Sequence, residues 1–320
     1  MIDRKLKIMV IASMFLLGCT AGNRLHQNTA RLQSKNLDII IANNKSYGKS
    51  HQAGYNGLSE LYIKNQNTRN IFMSAYGGLN FEHIFSGDSS TYGWHIFEPR
   101  VSPMKLVRLS DTKVELQQAR TKNWPLQTSM TYELSGSSID FVFTGIPLED
   151  VWKKHGYIGI FIASYIDSPV EKGINFIGQE SSGNVPKWIY HLPLKHGVQA
   201  SQRPAESLWK PGFDPGFPVT LASGLSDFKY TYPFYYGVSG ENVLIMMFDN
   251  PDKDAEIRFA ESPDGAGPNN PAWDFMYFKK NYKVGEKFSF HAHVVYKKFE
   301  GRDDVIKTYE SWSGKKVIVP

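Results

Sequence analysis

Short strand-like segments follow one another along most of this chain, and they constrain its fold more than any other feature. Apolar and polar residues alternate in "TKVELQQA" and in "SSIDFVFTGIP", where Ile139, Phe141 and Phe143 would share one face of a strand. The runs "YIGIFIASYI" and "ENVLIMMFDN" are continuously apolar, which is typical of strands buried on both faces. Many short strands separated by turn signals predict an all-β fold built from large antiparallel sheets.

Helical sequence is scarce. The best candidate is "GRDDVIKTYESW", where Val305, Tyr309 and Trp312 recur at helical spacing. The stretch 202–218, "QRPAESLWKPGFDPGFP", is rich in Gly and Pro and predicts a long loop. Long ordered loops often contribute to functional sites.

The N-terminus has the pattern of an export signal. Three basic residues precede the ten-residue apolar run "IMVIASMFLL", which is too short to span a bilayer. The end of this run and the two residues after it spell "LLGC", which ends at Cys19 and is similar to the bacterial lipobox, in which the cysteine is acylated and becomes the mature N-terminus. The alternative, a buried cysteine after an N-terminal core helix, is the less favoured interpretation.

This pattern predicts the domain organisation. Residues 1–18 would be a signal peptide, residues 19–45 a lipidated cysteine with a flexible tether, and residues 46–320 a single domain. The protein would lie in the bacterial cell envelope, attached to the membrane through its lipid. Cys19 is the only cysteine, so disulfides are not expected.

Charge and motifs exclude several function classes. A formal net charge of +5 is too small for a nucleic-acid partner, although it is compatible with an acidic substrate. The motifs GxSxG, HExxH and CxxC and the phosphate-binding loop do not occur, which argues against serine hydrolases, zincins and nucleotide-dependent enzymes.

Acid and base candidates lie in three short segments. In "YGGLNFEHIFSGD", Glu82 and His83 should point to opposite sides of an extended chain, which predicts His83 in a cleft and Glu82 in support beneath it. His51 and Tyr55 flank a glycine turn and are a second base and acid candidate. Tyr236, in "YTYPFYYG", is a further acid candidate.

Candidates for substrate binding are spread along the chain. Arg100, in "GWHIFEPR", could grip a carboxylate from an extended segment, and a structural ion pair is the equally weighted alternative. Aromatic residues make up 14% of the chain, and tryptophan rings are candidate platforms for sugars. The other predicted contacts are His155, His191, His196, Arg203 and Trp273.

Two more histidines share one strand face. In "EKFSFHAHVVYKKF", Phe288 and Phe290 would point to the core while His291 and His293 point outward. They could line a cleft, contribute to a metal site or belong to a solvated face. No cofactor and no metal ligand set are predicted, and a divalent metal stays open because only the fold could bring distant histidines together.

Several phrases together resemble a known family. "YNGLSEL", "YGGLNFEHIFSGD", "HGYIGIFIASYI" and "NPAWDFMYF" are similar to bacterial secreted proteins with the galactose-mutarotase-like β-supersandwich, over residues 46–312. The resemblance implies two large antiparallel sheets with a sugar bound on a concave face. In aldose epimerases of this fold an Arg and two His hold the sugar and a Glu takes a proton. The resemblance offers Arg100 and His155 for the first roles and Glu261 as a candidate for the last.

The leading hypothesis from the sequence is an envelope-anchored enzyme that performs β-elimination on a uronic-acid-containing glycan, as a lyase or a dehydratase. Arg100 and Arg203 would clamp the substrate carboxylate, and the histidines and tyrosines named above would supply base and acid. One alternative is an aldose 1-epimerase-like enzyme acting on neutral sugars. Another is a non-catalytic glycan-binding lipoprotein.

Overall fold

The computed structural model describes residues 28–66, 69–90, 95–249 and 253–319, so the expected signal peptide and Cys19 lie outside the described residues. The strands are β1 (Thr29–Gln33), β2 (Leu37–Ala42), β3 (Gly57–Ile63), β4 (Asn80–Phe85), β5 (Lys105–Arg108), β6 (Lys113–Gln118), β7 (Leu126–Ser135), β8 (Ser138–Pro147), β9 (Tyr157–Ala163), β10 (Ile174–Glu180), β11 (Lys187–His191), β12 (Ser201–Pro204), β13 (Leu225–Tyr230), β14 (Phe234–Ser239), β15 (Asn242–Phe248), β16 (Ala255–Ser262), β17 (Ala272–Lys280) and β18 (Phe288–Lys298). The helices are α1 (Glu98–Val101), α2 (Thr220–Ser223) and α3 (Arg302–Ser313).

The strand and helix predictions from periodicity are confirmed. In β8, buried residues alternate with half-buried ones, whereas every residue of β9 and β15 is buried. Helix α3 covers the predicted helical segment and buries Val305 and Tyr309. None of the helices among the described residues is long and apolar enough to cross a bilayer.

The strands form two sheets. One has three antiparallel strands in the order β1-β2-β3, and the other has 15 strands in the order β4-β9-β17-β16-β12-β13-β10-β14-β15-β18-β8-β7-β6-β5, with β11 paired to β10. Among the described strands only β12 and β13 pair in parallel. The expectation of an all-β fold with large antiparallel sheets and few helices is therefore confirmed.

The large sheet folds back on itself to make two layers. Strands β4 and β8 stand far apart in the strand order, yet the rings of Phe81 and Phe143 lie 5.1 Å apart between centroids. Likewise Phe275 of β17 lies 5.8 Å from Phe290 of β18. These rings belong to the main hydrophobic core, so the two layers enclose it as in a β-sandwich.

The flexible tether predicted to extend to residue 45 is wrong within the described chain. Strands β1 and β2 pair with each other, and Leu32, Leu37 and Ile39 are completely buried in the main core. The residues before Leu37 read as polar because only alternate side chains of β1 turn inward, and the outward Arg31 forms an ion pair with Asp38 of β2.

The long loop predicted over residues 202–218 is only partly correct. Its first residues belong to β12, which inserts between β13 and β16. The remainder is irregular, and Trp209, Phe213 and Phe217 pack on the face of β4, β9, β16 and β17 that points away from the main core. This second cluster packs the loop against the sheet. Residues 218–221, at the end of the loop and just after it, therefore cover one end of the same face, where the candidate site lies.

The buried state of β2 gives a stability prediction. Because Ile39 is fully buried, Ile39→Ala should lower the free energy of unfolding by about 2–5 kcal/mol. Ile40→Ala on the other face of the strand is the matched control, and it should cost clearly less because Ile40 is only partly buried. Urea unfolding followed by tryptophan fluorescence measures both. Equal and negligible effects would mean that this segment is a tether after all.

Candidate active site

A cavity of about 250 Å³ lies on the outward face of the layer that contains β4, β9 and β17. Residues 218–221, at the end of the long loop and the start of α2, close one side of it. Its wall combines aromatic rings with acids and imidazoles. The polar lining residues and the two flanking phenylalanines are Glu82, His83, Phe97, Phe161, Tyr165, His196, Thr220, Ser262 and Asp274.

Glu82 and His83 both line this cavity, so the prediction that they point to opposite sides is wrong. Phe81 pairs with Ile162 and His83 pairs with Phe161, which leaves Glu82 as an extra residue in a β-bulge. The bulge breaks the alternation of the strand and turns two consecutive side chains to one face. His83 Nε2 lies 3.6 Å from Glu82 Oε1, and both side chains are buried.

The Glu82 carboxylate is held by two partners. Arg100 Nη1 donates to Oε1 at 2.8 Å, and the Tyr165 hydroxyl lies 2.9 Å and 2.8 Å from the two carboxylate oxygens. Arg100 belongs to the short helix α1 rather than to an extended segment, and its guanidinium lies 3.7 Å from the centroid of the Tyr55 ring. These contacts fix the carboxylate and occupy Arg100 in a structural ion pair.

His83 is neutral at physiological pH. Burial lowers the pKa of its imidazole to about 4, with the nearby charge of Arg100 acting in the same direction and that of Glu82 opposing it. Its ring packs edge-on against Phe97, 4.4 Å between centroids, and Phe161, at 5.1 Å. A neutral imidazole can accept a proton, and a neighbouring carboxylate stabilises the positive charge that results.

Asp274 faces the cavity from β17, where its surroundings favour the protonated form of its side chain. Burial raises its pKa well above the usual range, and the charges of Glu82 and Glu261 add to this, while the Ser164 N–H, donating to Oδ1 at 2.8 Å, opposes it. Asp274 was not among the residues predicted from the sequence. The available signal was an acid inside the continuously apolar strand "AWDFMYF", where a charge is costly.

The rim carries an imidazole and an aromatic ring. His196, which the sequence predicted as a substrate contact, is exposed, and its Nδ1 lies 3.0 Å from Ser262 Oγ. Phe97 was not predicted, yet it lines the cavity and 47% of its surface is exposed. An exposed ring at a polar cavity is suited to stacking on the apolar face of a sugar.

His191 and Glu261 form a separate buried pair. His191 Nδ1 bonds to Glu261 Oε1, and Gln202 Nε2 lies 3.3 Å from the same oxygen. Burial raises the pKa of Glu261 to about 7. Because neighbours on β16 point to opposite faces, Ser262 lines the cavity while Glu261 points inward.

Three predicted site residues are placed in packing roles. Trp273 is fully buried, and its indole N–H donates to the Lys172 carbonyl at 2.7 Å. Tyr236 packs against Trp188 under the cover of α3, 5.6 Å between centroids. His51 is buried beside Tyr47, outside the cavity. None of these three side chains lines the cavity.

The predicted carboxylate clamp of Arg100 and Arg203 does not form. Arg203 lies in β12, partly buried, and does not line the cavity. His155 is also elsewhere, with Nε2 lying 3.1 Å from Asp214 Oδ1. His291 and His293 lie on β18 in the opposite layer, beside Asp140. Of the residues predicted from the sequence, the cavity brings together His83, His196 and Glu82, and Glu82 lies next to His83.

No protein-family model and no curated protein matches the chain. Solved structures with a similar fold include a galactose mutarotase-like protein from Lactobacillus casei, at 10% identity and a TM-score of 0.46, which covers 84% of this chain and 100% of that one. Heparan sulfate lyase HepC from Pedobacter heparinus has 13% identity and a TM-score of 0.41, covering 86% and 35%. The α-N-acetylgalactosaminidase NagBb from Bifidobacterium bifidum has 10% identity and a TM-score of 0.48, covering 88% and 38%.

The burial of His83 gives a prediction for its titration. Its imidazole should take up a proton near pH 4, and Glu82→Gln should lower this pKa further because the Glu82 charge favours the imidazolium. The unfolded chain protonates near the ordinary value of about 6.5, so stability should fall as the pH drops from there toward 4. NMR titration measures the pKa of the imidazole in the parent protein and in Glu82→Gln, and the signal that is lost in His83→Gln assigns it. A midpoint near the ordinary value in the folded protein would contradict the buried position.

Proposed function

We propose that this protein is a carbohydrate-active enzyme that interconverts the anomers of a neutral sugar by acid/base catalysis, as aldose 1-epimerases do. The observation that carries the proposal is the composition of the buried cavity lining. Burial favours the protonated form of Asp274 and the neutral form of His83, and Glu82 is paired with Arg100. Among the described residues that line the cavity there is no Lys or Arg. Such a lining favours an uncharged ligand over an anionic one.

Anomer exchange needs a base and an acid on the same substrate. His83, supported by the Glu82 carboxylate, would take the proton of the anomeric hydroxyl, and Asp274 would give its proton to the ring oxygen. The bond between the anomeric carbon and the ring oxygen breaks, its electron pair stays on the ring oxygen, and the O–H pair forms the carbonyl. After rotation about the bond next to the carbonyl carbon, the former ring oxygen adds to the other face of the carbonyl. The proton on His83 then returns to the carbonyl oxygen and the hydroxyl proton returns to Asp274, which restores both residues.

The positions of the surrounding groups support these roles. Glu82 lies 3.6 Å from His83 Nε2, so a proton arriving on the imidazole is stabilised by an adjacent negative charge. Tyr165 and Arg100 hold that carboxylate in place, which makes Glu82 a positioning residue. Phe97 and His196 at the rim would contact the sugar ring and its hydroxyls.

One observation favours β-elimination on a uronate as the second candidate. A protonated Asp274 could donate a hydrogen bond to the substrate carboxylate and so acidify the neighbouring C–H, which a neutral His83 would deprotonate. This candidate is the weaker one because Arg100 is engaged with Glu82 and Arg203 lies outside the cavity.

We also propose that the enzyme acts in the bacterial cell envelope as a lipoprotein anchored through Cys19. The support is the sequence pattern of a basic start, a short apolar run and "LLGC". Its partners would then be the membrane, through the lipid, and a glycan or a sugar released from one.

Mutarotation tests the leading proposal. The protein should accelerate the approach of freshly dissolved α-anomers to equilibrium, measured by polarimetry across a panel of aldoses. Asp274→Asn and His83→Gln should each reduce the rate by about 10²–10⁴-fold, because each removes one proton-transfer group. Asp111→Asn, a change of a fully exposed acid outside the cavity, is the matched control and should be neutral. Full activity in Asp274→Asn would overturn the assignment.

Ultraviolet absorbance of an unsaturated uronate tests the second candidate. We expect no rise when the protein is incubated with a panel of uronate oligosaccharides. A rise that His83→Gln abolishes would establish elimination in this cavity and replace the epimerase proposal. Saturable sugar binding without either product would instead indicate a glycan-binding protein.

A further inference from the structure

Three adjacent strands bring a second set of polar side chains together, in the layer opposite the cavity. His293 pairs directly with Asp140 across β18 and β8, and His291 lies two residues away on the same face. Asp249 follows the end of β15, and its backbone N–H donates to the His291 carbonyl at 3.3 Å. The strand register, rather than proximity in sequence, therefore assembles this cluster.

The donor atoms converge closely. Asp140 Oδ1 lies 2.7 Å from His293 Nδ1 and 2.9 Å from His291 Nε2, and one ligand atom from each of the three residues falls within 4.8 Å of the others. His291 Nδ1 lies 2.9 Å from Asp249 Oδ2. One carboxylate oxygen thus faces two imidazole nitrogens, and the ring of His291 is oriented by a second carboxylate.

We propose that Asp140, His291 and His293 bind one Zn²⁺ ion. Two imidazoles and a carboxylate are a donor set that suits zinc, with water in the fourth position of a tetrahedral site. His291 would bind through Nε2 while its Nδ1–H donates to Asp249, the arrangement in which a carboxylate orients a metal-bound imidazole. The side chains are partly exposed, so a metal ion can reach them from solvent.

The surroundings favour a fixed site. The ligands stand on β8 and β18, which pair along eight residues, so their backbones are rigid. The Trp312 indole of α3 stacks on His293, with centroids 5.4 Å apart and planes within 15°, and also contacts His291 edge-on. The metal would join two strands beneath the end of α3, and Trp312 supplies a fluorescence signal beside it.

Zinc titration tests the proposal. Chelator-treated protein should bind one Zn²⁺ per chain in competition with a chromophoric chelator, and Co²⁺ in its place should give the visible absorption of a tetrahedral N/O site. His291→Ala and Asp140→Asn should each weaken zinc binding more than about 100-fold, and Asp249→Asn by about 10-fold or more. Ser289→Ala, on the same face of the same strand, is the matched control and should bind like the parent.

Circular dichroism and thermal unfolding without metal establish that each variant is folded. Folded parent protein that binds no zinc at micromolar concentration would overturn the proposal and leave the cluster as hydrogen-bonded His and Asp side chains. Unchanged affinity in a folded double variant, His291→Ala with His293→Ala, would also overturn it, because the ion would then be held elsewhere. Zinc binding and mutarotation are separate readouts, so either proposal can fail without the other.

Discussion

The single extra residue in β4 is the constraint on which the candidate site depends. Because Phe81 points into the aromatic core, a regular strand would have sent His83 into the core as well, where a polar group without partners is costly to bury. The bulge turns His83 outward instead, beside Glu82, whose carboxylate Arg100 and Tyr165 hold in place. Helix α1 carries Arg100, and the contact of its guanidinium with the Tyr55 ring helps to hold it in position.

Electrostatics then determines what this cavity can do. Burial raises the pKa of Asp274, and the charge of the nearby Glu82 carboxylate adds to this effect. The same burial keeps His83 neutral, which provides a proton donor and a proton acceptor in one wall. Acid/base catalysis usually depends on such a pair, in which the surroundings keep one group protonated and the other free to accept a proton.

Local periodicity accounts for what could be predicted. Strands β8, β9 and β15 and helix α3 were predicted because alternation and helical spacing are written into a few consecutive residues. The bulge at Glu82 and the pairing of Asp140 with His293 depend on register between distant strands, which one sequence does not display. Arg100 was recognised as a candidate, but its partner lies 18 residues away on β4, so the ion pair was only one of two interpretations.

Alternation also keeps the two polar sites apart. Asp274 points outward from β17 between the core residues Trp273 and Phe275, and His291 points outward from β18 between Phe290 and Ala292. Because Phe275 and Phe290 meet in the core, the two outward faces lie on opposite surfaces of the sandwich, separated by packed sheets about 10 Å apart. An ion at Asp140 is therefore too distant to take part in proton transfer at His83. Its influence on the cavity would have to pass through the packing of the aromatic core.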